Sequence, residues 1–150
     1  MTILKLQRGF NLVEVLIALI IMSVGMLGIA GLYVQSLQAG RTSMFRHNAI
    51  TLAGDVADRI RANPRALDAY EAATGADNGC IAGTKNCTPA EMAGNDILLW
   101  QQQAVDTLPA GDVEIIFDDT VTPPEYEINV TWEEPGETPN YTVTIPVMGI

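Results

Sequence analysis

Glu14 stands in a setting that asks for a chemical reason. It lies in the stretch from Phe10 to Leu32, 23 residues with no other formal charge. An ionisable group near the centre of such a run costs a few kcal/mol on membrane insertion scales, so it normally has a partner or a task. On a helix, a cation four residues earlier would face it. The intact chain has uncharged Phe10 at that place. Cutting the peptide bond after Gly9 would turn the Phe10 nitrogen into a free α-amine and create the missing cation.

The other residues with chemistry to offer are few. Cys80 and Cys87 enclose six residues, which is not the spacing of a redox CxxC pair. In an oxidising compartment they are predicted to form a disulfide, worth about 2 to 3 kcal/mol for so short a loop. His47 is the single histidine, and with two cysteines it falls short of a zinc ligand set. Asp118, Asp119, Glu125 and Glu127 gather carboxylates in one region, but without the spacing or glycine hinge of an EF-hand calcium loop. No metal or cofactor is predicted. No nucleophile stands beside a base and no glycine-rich phosphate loop is present, so no catalytic residue is assigned and the chain reads as a non-enzyme.

Charge narrows the partners. Lys and Arg number 8 against 18 Asp and Glu, and residues 66–150 hold 15 of the acids with Lys85 as their one base. Binding a phosphate backbone draws on Lys and Arg to displace counterions, so direct nucleic-acid binding by this half is not expected.

These residues must be positioned by a small set of elements. At about 1.5 Å per residue, residues 10–32 span roughly 35 Å as a helix, enough to cross a hydrocarbon core of about 30 Å. Lys5 and Arg8 precede them, which by the positive-inside rule places the N-terminus in the cytoplasm and the part after residue 35 across the membrane. A secretory signal peptide cut near Gly28-Ile29-Ala30 and a plain single-pass anchor are the competing readings. No proline interrupts Phe10 to Asn63, and Phe45, Ala49, Leu52, Val56 and Ile60 continue a helical period beyond the membrane part. One helix is predicted throughout, stopping where Asn63-Pro64 disfavours helical backbone. Residues 64–87 lack a period and read as a loop. Thr88-Pro89-Ala90-Glu91 is a capping box with proline at the first helical position, ahead of a stripe of Ala93, Ile97, Trp100, Ala104 and Leu108. Period-two alternation then marks three strands around Val113–Phe117, Tyr126–Trp132 and Tyr141–Val147. The fold class is α+β: a long N-terminal helix packed on a small antiparallel sheet, with an additional helix before the sheet.

Gly9-Phe10-Asn11-Leu12-Val13-Glu14, behind a basic leader of nine residues and ahead of an unbroken apolar run, resembles the class III signal of type IV prepilins and pseudopilins. The resemblance implies cleavage after Gly9 by a prepilin peptidase that methylates the new Phe10 amine, and a role for Glu14 in subunit assembly through the N-terminus of a neighbour. Asn11 stands where Thr or Ser is more usual in the family. Within it, the chain looks most like the PilV-type minor pilins, in the leader, in "RIRANP" at residues 59–64 and in "CTPAEMAGNDILLW" at residues 87–100. That implies three parts: a leader, 1–9; a transmembrane half-helix, 10–34; and a periplasmic pilin-like domain, 35–150. It also implies passage from the inner membrane into a pilus, and as partners the peptidase, other minor pilins, the major pilin and a pilus-tip adhesin. A type II secretion pseudopilin shares every N-terminal feature, and a tip adhesin or lectin-like subunit is the binding-class alternative.

Overall fold

The computed structural model describes residues 9–72, 74–81, 83 and 85–147; residues 1–8 of the expected leader lie outside the described residues. Six elements follow in order: α1 (Leu12–Ala62), α2 (Ala69–Ala72), α3 (Pro89–Thr107), β1 (Asp112–Asp118), β2 (Glu125–Thr131) and β3 (Asn140–Pro146). The chain divides into two units, one ending at Arg41 and one beginning at Thr42. The long helix is continuous as predicted and stops one residue before Asn63-Pro64.

In the unit from Thr42 onward, the last five turns of α1 meet α3 and the sheet. Ala49, Leu52, Ala53, Val56 and Ile60 of α1 are buried to 3% exposure or less, and Phe45 packs at the edge of the same core. The α3 stripe of Ala93, Ile97, Trp100 and Ala104, with Leu108 just past its end, is buried as the spacing predicts. Its capping box forms in full. The Glu91 amide donates to Thr88 Oγ1 at 3.2 Å, and the Thr88 amide donates to Glu91 Oε2 at 2.9 Å. At the other end Gly111 has no room for a side chain, because a Cβ there would run into the Ala104 carbonyl.

The three strands form an antiparallel meander in the order β1-β2-β3. Register places Ile115 opposite Ile128 and Ile128 opposite Val143. Val113, Ile115 and Phe117, Tyr126, Ile128 and Val130, and Tyr141, Val143 and Ile145 therefore share the face turned to the helices. The strands stop slightly short of the sequence expectation: Trp132 and Val147 lie just past β2 and β3. Each still donates one backbone bond, Trp132 to the Pro139 carbonyl at 3.2 Å and Val147 to the Pro124 carbonyl at 2.7 Å. Pro146 ends β3 at the sheet edge.

Residues 64–87, read as a loop, contain the single-turn α2. One turn is too short to show a period, and tertiary contact rather than propensity holds it. Tyr70 is 2% exposed, stacked on Trp100 at 5.7 Å between ring centroids and edge-on to Tyr126 at 6.2 Å. Gly75 then passes so close to α3 that a Cβ would lie 2.9 Å from Leu98 Cα, and the Ala76 amide bonds the Gly94 carbonyl at 2.9 Å.

Candidate assembly site

Gly9 and Phe10 precede α1 and are exposed, and Glu14 falls in the first turn of the helix. Asn11 holds the turn. Its carbonyl accepts from the Glu14 amide at 3.0 Å and the Val15 amide at 3.3 Å, and its side-chain Oδ1 accepts from the Val13 amide at 3.4 Å. This is N-cap chemistry, for which Asn serves as well as Ser or Thr, so the departure at residue 11 keeps the physical role. Glu14 therefore sits where the helix presents unpaired N–H groups and the positive end of its dipole, which favours a carboxylate. Position 10 lies four residues before it, just outside the helix.

Past Glu14 the helix is apolar on every side and nothing in the described chain covers it. Phe10 is 83% exposed and Leu27 74%, and every residue from Leu12 to Arg41 is exposed. By length and composition this helix can cross a membrane. Gly25, Gly28 and Gly31 lie within it, each with open space where a Cβ would be.

The two predicted cysteines are brought together. Cys80 and Cys87 form a disulfide with Cα atoms 5.8 Å apart, directly before the Thr88 cap of α3. Lys85, inside that loop, reaches the same Glu91 that closes the capping box, at 2.7 Å. Loop, cystine and helix start are thus one unit of structure.

Two family models match the chain. Residues 4–30 match the prokaryotic N-terminal methylation motif, and residues 31–98 match the model described as Tt1218-like, type IV pilin Tt1218. The matches abut, covering residues 4–98 together. Over these residues the chain is similar to type IV pilins. No curated protein and no solved structure matches it. The family is one of structural subunits rather than enzymes, and the methylation motif implies processing by a prepilin peptidase and assembly with other pilins.

The globular part of this pilin-like chain holds a polar cluster that the sequence reading missed. Asp55 pairs with Arg59 and Asp58 with Arg61, one helical turn on, at 3.2 and 3.1 Å. Arg59, however, also reaches Asp96 on α3 at 3.0 Å, and Asp96 is 3% exposed. Asp96 accepts a second bond from the Tyr70 hydroxyl at 3.2 Å, while Asn63 donates to that hydroxyl and to the Pro89 carbonyl. The Trp100 indole N–H donates to Asp55 at 3.0 Å. Burial lowers the Arg59 pKa, but Asp55 and Asp96 more than offset this and hold it above its ordinary value. Burial, aided by Asp96, raises the Tyr70 pKa, and burial pushes Tyr126 up to about 12. Both phenols stay neutral donors, Tyr126 to the Leu67 carbonyl at 2.6 Å. One signal for this cluster was present in the sequence: Asp96 falls between Ala93 and Trp100 on the face predicted to be buried, and a buried carboxylate needs a partner.

The acidic turns do not converge on a cation site. Asp118 accepts from the Thr120 hydroxyl at 2.6 Å and the Thr120 amide at 2.8 Å, which hold its carboxyl below the usual range. Among the described residues no cluster of metal-ligating side chains occurs.

Proposed function

We propose that this chain is a minor type IV pilin, closest in kind to the PilV-type subunits, cleaved after Gly9 and methylated on the new Phe10 amine. Residues 10–34 hold it in the bacterial inner membrane, N-terminus in the cytoplasm and the domain from residue 35 in the periplasm, until it joins a pilus. In that reading Glu14 neutralises the N-terminal ammonium of a neighbouring subunit. A carboxylate left out of water without its partner is strongly unfavourable, so the contact both seats a subunit and selects processed over unprocessed neighbours. The partners are the peptidase, the major pilin, other minor pilins and a tip adhesin.

One observation supports this above the rest: the methylation-motif match at residues 4–30 runs directly into a helix whose apolar side chains have no cover in the chain. The match of residues 31–98 to a type IV pilin favours a pilus over a type II secretion pseudopilus. Glu14→Ala is the test. Cleavage after Gly9 is expected to continue, with the subunit accumulating in the membrane and depleted from sheared pili. Normal incorporation of the variant would refute the assembly role.

A further inference from the structure

The two edges of the sheet differ. The β1 edge is packed by α2 and α3 and carries Asp112, Glu114 and Asp118, the charged and covered state that keeps an edge from pairing. The β3 edge has neither protection. Asn140–Pro146 contains no charged residue, and β3 pairs only with β2 among the described residues. The bonds from Trp132 to Pro139 and from Val147 to Pro124 fix the alternation. Tyr141, Val143 and Ile145 turn their N–H and C=O groups to β2, so those of Asn140, Thr142 and Thr144 point out of the sheet.

Beside this open edge runs a groove of about 250 Å³, walled by Ile50, Gly54 and Ala57 of α1 and by Tyr141, Val143 and Ile145 of β3, with the Asp58–Arg61 ion pair also on its wall. Ile50 is 48% exposed there. Gly54 lies in the interior of a helix, where glycine costs about 1 kcal/mol relative to alanine, yet a Cβ at that position would meet nothing within 4 Å. The chain's own packing gives no reason for a glycine at this point. A close approach from outside does. Arg46 lines the adjoining stretch of the groove with Asn140 and Tyr141; its charge is felt by Glu134, but no carboxylate among the described residues lies within ion-pair distance of it.

We propose that the β3 edge and this groove form a strand-addition site for an extended segment of another protein, apolar at alternate positions and bearing a carboxylate at the Arg46 end. The outward groups of Asn140, Thr142 and Thr144 pair with the incoming backbone. Its alternate side chains enter the groove over Gly54, in the manner of other edge-strand recognition sites. Arg46 sets the sign of charge the segment carries at that end, against a chain whose net charge is −10.

The test uses the full chain in detergent micelles and hydrogen exchange read at single amides. The probe is a capped hexapeptide alternating valine and threonine behind one aspartate. At about ten times its Kd it is expected to slow exchange at Thr142 and Thr144 by roughly tenfold, leaving the already bonded Tyr141 and Val143 amides unchanged. The same peptide with lysine in place of aspartate should bind more weakly. Gly54→Leu should abolish the protection, and because it replaces glycine in an open helical position the variant keeps its fold. Absence of protection at saturating peptide, equal protection by the lysine peptide, or undiminished protection in Gly54→Leu would each overturn the proposal.

Discussion

The two halves of α1 form one unbroken helix and meet opposite fates. From Val15 to Val34 the helix is almost wholly apolar and every large side chain is exposed; after Thr42 it is striped, and Leu52, Val56 and Ile60 are buried while Asp58 and Arg61 face out. A helix that is apolar all round is made for apolar surroundings, whereas a striped one is made for an interface between core and water. The first half thus has no stabilising role within the described chain. Its apolar residues answer to something outside, first a bilayer and then neighbouring helices in the proposed reading.

That contrast can be broken by mutation. Leu52→Ala is expected to destabilise the globular unit by roughly 2 to 5 kcal/mol, since the site is fully enclosed. Thermal unfolding of the full chain in micelles, read by near-ultraviolet circular dichroism, measures this. Removing the cystine by Cys80→Ser with Cys87→Ser should cost about 2 to 3 kcal/mol in the same assay. Thr88→Ala, which deletes half of the capping box, should cost about 1 kcal/mol. The Lys85 ammonium and the Thr88 amide and hydroxyl hold the Glu91 carboxyl down to about 2. A lowered folded-state pKa adds stability above the unfolded value, and that part is lost as pH falls from about 4.5 towards 2. Glu91→Gln should flatten the acid side of the stability profile in this window. Ile20→Ala closes the series: on the same helix as Leu52, it should shift unfolding of the globular unit by less than about 0.5 kcal/mol. A large loss there would mean that the exposed half does pack against its own chain.

Local chemistry was legible in the sequence and distant pairing was not. Helical period, the Thr88 box, the stop at Asn63-Pro64 and the alternation of three strands all act over a few residues, and each appears where the spacing placed it, to within one residue at the ends of β2 and β3. The Asp55–Arg59 and Asp58–Arg61 pairs are of the same local kind, each within one helical turn. The link from Arg59 to Asp96, 37 residues away, and from Asp55 to the Trp100 indole, 45 residues away, have no local signature. Tyr70 was lost in a stretch with no period because a single aromatic anchor makes none.

The central claim is that the first half of α1 becomes functional when a cut after Gly9 gives Phe10 a charged amine facing Glu14. Mass spectrometry of the N-terminal peptide, on protein isolated from its host membranes with the processing peptidase active, tests it most directly. The account predicts a chain beginning at Phe10 and carrying a methyl group on its amine. A chain that retains residues 1–9, or one that begins at Gly31, would contradict it.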